Sequence, residues 1–142
     1  METPNPLAAK GQGPRFGRYE AREEIGRGAM GVVFRAWDPK IGRMVAVKTI
    51  HLGGSLDPEA RRQYLERFYR EATAAGRLSH PNIVTVYDAG EEGDIPFIAL
   101  EFVPGVSLDA SLAARRPLPW QEAVEILLQI AEGLDFAHEQ GV

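Results

Sequence analysis

The chain has 142 residues, about one domain's worth and enough to close a hydrophobic core. Its 16 basic and 20 acidic residues leave a formal charge of −4, which excludes the basic footprint of a nucleic-acid binder; the lack of cysteine excludes disulfides and thiolate metal sites and fits a reducing, cytoplasmic setting. No apolar run approaches the roughly 18 residues that span a bilayer and no apolar signal segment opens the chain, so neither a membrane segment nor a nucleic-acid partner is expected.

Residues 1–16 contain Pro4, Pro6 and Pro14, two glycines and few large apolar side chains, which predicts a flexible lead-in with order beginning near Tyr19. A strand over 18–25 follows, with Ile25 its last apolar residue. Gly26, Gly28 and Gly31 then give the pattern G-x-G-x-x-G, with Arg27, Ala29 and Met30 between them and Val33 two residues on. Backbone without Cβ atoms can approach an anion closely, so this stretch is a candidate phosphate clamp. Dinucleotide-binding units use the same spacing, but they need a helix after the third glycine and an acidic residue about 20 positions later. Here the third glycine runs into a β-branched and aromatic stretch over 32–37, then a turn over 38–42 and a second strand over 43–50. A cation, Lys48, ends that apolar run, so the dinucleotide reading fails.

Alternation along the second strand puts Ala46 and Lys48 on one face and Val45 and Val47 on the other. A small residue beside a lysine suits a flat base on Ala46 with phosphates at the ammonium, while Val45 and Val47 face a core. The plainer alternative is an edge lysine reaching water.

After a loop over 51–56, Asp57 can cap a helix whose first position is Pro58, running to about Leu78. Tyr64, Phe68, Ala75 and Leu78 fall on one face, and Glu71 lies in the middle of that stripe. A buried carboxylate without a partner is heavily penalised. Lys48 is the candidate partner, and Arg67, four residues back, is the local one.

These features together resemble the N-terminal lobe of a protein kinase, and the stretch around the glycine loop is similar to bacterial serine/threonine kinases of the eukaryotic-like (Hanks) type. The resemblance rests on the glycine loop, Val45-Ala46-Val47-Lys48, Arg70-Glu71-Ala72 on the helix, and the connector His80-Pro81-Asn82-Ile83-Val84, in that order. It implies an α+β fold: an antiparallel five-stranded sheet with one long helix, then the first helices of a truncated C-lobe. The divisions are a flexible segment over 1–18, an N-lobe with hinge over 19–103, and the start of a C-lobe over 104–142. The fourth and fifth strands would cover 83–89 and 95–102, joined by a turn over 91–94. The resemblance further implies ATP as the ligand and a serine or threonine hydroxyl of a protein as the acceptor. Lys48 would hold the α and β phosphates and pair with Glu71, with residues 26–31 covering the phosphates. Ile25, Val33 and Ala46 would roof the base, Leu100 would stand behind it, and backbone groups of Glu101 and Val103 would read it. Ser107, starting a short helix to about Ala114, lies near the expected ribose. His80 and His138 read as structural, and Trp37 and Trp120 as core or interface fillers.

The strongest helical period covers 119–140, with Trp120, Ala123, Val124, Leu127, Ile130, Ala131, Leu134 and Ala137 on one broad face and Gly141 after its end. None of the family's H-R-D-x-x-x-x-N, D-F-G or A-P-E motifs occurs in these residues. The protein ligands of Mg2+ are therefore expected beyond Val142, this chain alone is expected to be inactive, and its exposed helix is expected to drive self-association. Two functional classes remain: the ATP-binding part of a serine/threonine kinase, or a non-catalytic kinase-like module that binds nucleotide or a partner.

Overall fold

A computed structural model describes residues 13–29, 31–52, 57–114 and 117–142 of the chain. Its elements are β1 (Arg15–Phe16), β2 (Tyr19–Gly28), β3 (Gly31–Asp38), β4 (Arg43–Thr49), α1 (Pro58–Ala75), β5 (Val86–Glu92), β6 (Ile95–Glu101), α2 (Leu108–Ala114) and α3 (Trp120–Glu139). The strands form one sheet in the order β1-β2-β3-β4-β6-β5, and every neighbouring pair is antiparallel.

Alternation in β3 and β4 sets the two faces of the sheet. Val45 and Val47 are fully buried, as their spacing predicts, and join Val32, Phe34, Ala36, Phe97 and Ala99 in a single apolar cluster. The sheet curls around this cluster until its two edges meet, so the core lies inside the curl and not under a helix.

The sheet has six strands where five were expected, and order begins before Tyr19. The added strand, β1, comes from the segment read as flexible. Phe16 is 5% exposed, its ring centroid 5.5 Å from that of Phe34 and 6.0 Å from that of Phe97. The Pro14 carbonyl accepts from the Ala21 N–H at 2.9 Å, and the Gly17 N–H donates to Glu92 Oε2 on the far edge strand at 2.9 Å. One aromatic side chain with a deep seat outweighs a composition that otherwise reads as a lead-in.

Arg18 and Tyr19 carry this closure further. The buried Asp38 carboxylate at the end of β3 accepts from Arg18 Nε on both oxygens at 3.2 Å, and from the N–H of Lys40 at 3.0 Å. Burial pushes the Asp38 carboxyl up, but the Arg18 guanidinium and the turn N–H groups outweigh it and hold the group below the usual carboxylate range. Burial, with the hydrogen bond to Asp88 at 3.0 Å, raises the Tyr19 phenol.

Helix α1 starts as the sequence predicts, with Asp57 Oδ1 accepting from the N–H of Glu59 at 3.0 Å and of Ala60 at 2.9 Å. It ends at Ala75, short of Leu78, where the Gly76 N–H closes on the Ala72 carbonyl at 2.8 Å. Strand β5 starts at Val86 rather than at residue 83. The preceding residues are turned: His80 Nδ1 accepts from the Asn82 N–H at 3.1 Å, and the His80 carbonyl from the Ile83 N–H at 3.1 Å. Glu91 and Glu92 belong to the strand, leaving a two-residue turn at Gly93 and Asp94.

Helices α2 and α3 follow a stretch without regular structure after β6. Asn82 ties α3 to the sheet: its Nδ2 donates to the Gln129 carbonyl at 3.0 Å and to Glu132 Oε2 at 3.3 Å. Gly133, the buried residue of α3, faces this contact; a Cβ there would stand 3.3 Å from the Asn82 carbonyl oxygen. The opposite side of α3 is bare. Trp120, read as a core or interface filler, is 71% exposed, and Leu127 and Leu134 are more than half exposed. No helix among the described residues is long and apolar enough to cross a membrane.

Candidate functional site

Residues directly opposite each other in an antiparallel ladder share a face, which lets the site be built row by row. One row runs Gly26, Val33, Lys48, Ile98; the next runs Arg35, Ala46, Leu100. Val33, Ala46, Lys48 and Leu100, four of the predicted site residues, therefore lie on one face of the sheet, opposite the buried core. Ala46 is 8% exposed, Val33 and Leu100 are half-buried, and Lys48 is exposed with no ion pair among the described residues. Ile25 sits at the register shift between the Glu24 and Gly26 pairs and is 46% exposed.

The glycine loop is the hairpin tip between β2 and β3, with Ala29 in the turn; Met30 lies outside the described residues. Its glycines are small for different reasons. At Gly31, φ is 151° and a Cβ would collide with the Thr49 carbonyl of β4, so the fold itself requires glycine. The Thr49 hydroxyl completes this contact, donating to the Val32 carbonyl at 3.0 Å. Among the described residues a Cβ at Gly28 would meet nothing within 4 Å, which leaves space over that residue for a ligand. Arg27 is turned back onto Glu24 at 2.7 Å, which leaves the loop's backbone rather than this guanidinium to meet an anion.

Glu71 departs from the sequence reading. It does not lie in the buried stripe of α1, which is formed by Phe68 and Ala72; its side chain is 62% exposed and its Oε1 accepts from Arg67 Nε at 2.7 Å. The local partner, four residues back, has the carboxylate, because the pair remains hydrated and so avoids the cost of burying charge. Between α1 and the sheet lies a cleft of about 450 Å3, lined by Ile50, Phe68, Glu71, Ala72, Val86 and Ile98 among others. Ile98, opposite Lys48 in the ladder, lines this cleft together with Glu71, but Lys48 itself does not line it, and among the described residues no ion pair joins Lys48 to Glu71.

Helix α1 is held on its other side by contacts that the sequence did not signal. Arg61 pairs with Glu91 at 2.7 Å and the Tyr69 hydroxyl donates to the same carboxylate at 3.3 Å, both reaching across 20 or more residues of sequence to the tip of the β5–β6 hairpin. Among many surface charges, only proximity in the fold selects these.

At the end of β6 the Glu101 N–H donates to the Thr85 carbonyl at 2.8 Å, and Glu101 Oε2 accepts from the Thr85 N–H at 3.2 Å. The chain then leaves the sheet, with Val103 59% exposed and its backbone outside any strand. Ser107 caps α2, its Oγ accepting from the Ala110 N–H at 3.2 Å. His80 is a hydrogen-bonding group of the connector, and its ring also lies 5.1 Å from that of Phe136. Among the described residues no group of three or more histidine, aspartate or glutamate side chains could hold a metal ion.

The family model described as "Protein kinase domain" matches residues 19–142. The serine/threonine-protein kinase PrkC of Bacillus subtilis is 40% identical over 126 residues, covering 89% of this chain and 19% of that protein. The serine/threonine-protein kinase PknB of Mycobacterium leprae is 38% identical over 129 residues, covering 88% of this chain and 20% of that protein. Among solved structures, the Mycobacterium tuberculosis PknI kinase domain superposes with a TM-score of 0.78 at 33% identity, covering 94% of this chain and 53% of that one. The chain thus spans about a fifth of the curated relatives it matches and about half of the solved kinase domain.

Proposed function

The chain belongs to the protein kinase family, with the fold of its N-lobe and part of its C-lobe, and from that premise we propose that its sheet and α1 form the ATP-holding part of a serine/threonine protein kinase. The whole protein would transfer the γ-phosphate of ATP to a serine or threonine hydroxyl of a protein substrate. One observation carries the reading: Lys48 stands exposed and unpaired among the described residues, on the same face as Val33, Ala46 and Leu100, beside a loop whose Gly28 has open space above it. A flat base fits against the small, buried Ala46 with Val33 and Ile25 over it, and Leu100 limits its depth. Backbone groups of Glu101 and Val103 then offer hydrogen bonds at the edge of the base. Phosphates laid along the Gly26–Gly31 hairpin reach the Lys48 ammonium, a charge-assisted contact. Glu71 would leave Arg67 and meet Lys48 when α1 closes over the cleft, steadying the lysine for the phosphates. Magnesium would supply charge neutralisation at the phosphates, through protein ligands outside these residues.

The test is equilibrium binding of ATP to the chain and to Lys48→Met. The variant should bind about tenfold more weakly or worse with an unchanged melting temperature, since an exposed strand lysine contributes little to the fold. Equal binding by both would overturn the reading. A second reading, a kinase-like module that binds a partner without catalysis, is favoured by the Glu71–Arg67 pair, which leaves Lys48 without its expected carboxylate. Lys48→Met separates the two in the whole protein, abolishing phosphoryl transfer in the first case and leaving partner binding intact in the second.

A further inference from the structure

Glu91 and Glu92 follow each other at the tip of the β5–β6 hairpin, and successive residues of a strand point to opposite faces of the sheet. The register agrees: Glu91 stands opposite Pro96, and Glu92 opposite Ile95, in step with the core-facing Phe97 and Ala99. The hairpin tip is therefore gripped on one face by α1 and on the other by residues 15–18. On the outer face Arg61 Nη2 donates to Glu91 Oε1 at 2.7 Å, and the Tyr69 hydroxyl donates to Glu91 Oε2 at 3.3 Å. On the inner face the Gly17 N–H donates to Glu92 Oε2 at 2.9 Å. The seat of Gly17 is specific, with φ at 57° and the place of a Cβ only 3.2 Å from the Phe97 ring. The other half of β5 is held at Asp88, which lies 3.4 Å from Arg18 and accepts from the Tyr19 hydroxyl at 3.0 Å. Only Gly93 and Asp94 join the two strands, a turn too short to absorb movement of the tip.

We propose that residues 15–18 are a strap that restrains α1 through this hairpin, so that docking or release of the N-terminal segment sets how freely the helix bearing Glu71 moves. The restraint runs through contacts in series: Gly17 to Glu92, Glu92 to its chain neighbour Glu91, and Glu91 to Arg61 and Tyr69. Apolar packing holds the two ends of this series very differently. Phe16 anchors the strap in the main core cluster, which contains no residue of α1, and the helix itself buries only Phe68 and Ala72. With so little of α1 seated on the sheet, its polar hold on the hairpin carries a large share of its placement. The consequence for Glu71 rests on the nucleotide reading above; the restraint itself does not, and it is measured without nucleotide.

The experiment is amide hydrogen exchange of the chain, of Glu92→Ala, of Glu92→Gln, of Glu91→Ala and of the double variant Glu91→Ala with Glu92→Ala. Glu92→Ala should speed exchange at the α1 amides of residues 65–69 by about three- to tenfold, the range of one hydrogen bond to a charged group. The α3 amides of residues 127–130, on a helix the strap does not touch, should change by less than about twofold. Glu92→Gln keeps an acceptor oxygen and should stay within about twofold of the original chain throughout. Glu91→Ala cuts the hairpin from α1, so adding Glu92→Ala to it should alter α1 exchange by less than about twofold more. Three results would each overturn the proposal: acceleration confined to the amides of Gly17 and Ala21, equal acceleration in α1 and α3, or effects of the two substitutions that multiply in the double variant. Failure of the chain to bind ATP would remove the consequence for Glu71 and leave these exchange rates standing, so the two readings fail separately.

Discussion

At the scale of single residues, the glycine loop separates requirements that its spacing merges. Gly31 is demanded by the protein, because its backbone lies against the Thr49 carbonyl at a φ of 151°. Gly28 has nothing among the described residues within 4 Å of where a Cβ would stand. Gly31→Ala should therefore destabilise the fold by on the order of 3 kcal/mol or more, lowering the melting temperature with or without nucleotide. Gly28→Ala should leave the melting temperature of the free chain nearly unchanged and weaken ATP binding several-fold, because the methyl group occupies space proposed for phosphate. Thermal unfolding with and without ATP checks both, and equal behaviour of the two variants would sink the distinction. Glu71 teaches the complementary lesson about side chains. Its position in an apolar stripe is evident from spacing, yet the rotation of α1 places it at the rim of the cleft, where Arg67 is nearer than Lys48.

At the scale of elements, the least conspicuous strand closes the sheet. The two residues of β1 join one sheet edge through the Arg15 and Glu20 register, and Phe16 reaches the aromatic side chains of Phe34 and Phe97 on inner strands. Removing a buried phenylalanine ring costs about 3–5 kcal/mol. Phe16→Ala should lose that much stability in chemical denaturation, and it should also speed hydrogen exchange at the Ala21 amide, whose acceptor is the Pro14 carbonyl. Slow exchange at Ala21 in a destabilised variant would show that the segment docks without its aromatic anchor. Helix α1 is placed by opposing demands: Phe68 and Ala72 pack toward the sheet, Arg61 and Tyr69 hold the β5–β6 hairpin, and the open cleft between leaves room for closure. A helix so held can move without breaking a core, since the main apolar cluster lies on the other face of the sheet.

At the scale of the whole molecule, the sheet buries its own core while α3 does not. The helix is anchored by Asn82 and Gly133 on one side and leaves Trp120, Leu127, Leu128 and Leu134 largely exposed on the other. Contiguous apolar surface of this kind marks an interaction site or an association liability. The isolated chain should self-associate, its mass in light scattering rising with concentration, and Leu127→Glu combined with Leu134→Glu should return it toward a monomer without altering ATP binding. A monomer mass across the whole concentration range would contradict this expectation.

The sequence by itself determined the strand-and-helix order from β2 onward, the faces of β4, the cap of α1 and the family, because each follows from local spacing: period two in Val45–Lys48, a capping aspartate before a proline, and glycines and a lysine at fixed intervals. The Ala46–Lys48 face and the residues opposite it were legible for the same reason. Only the tertiary structure decided that Phe16 belongs to the core, that Arg61 meets Glu91, that Glu101 answers Thr85 with its side chain, and that Glu71 rests on Arg67. Each of those depends on distances between residues far apart in the chain, or on the rotation of a helix whose spacing allows more than one buried face. Alternation and periodicity specify which residues share a side of an element; packing against the rest of the molecule specifies which side turns inward and what a charged group finds there.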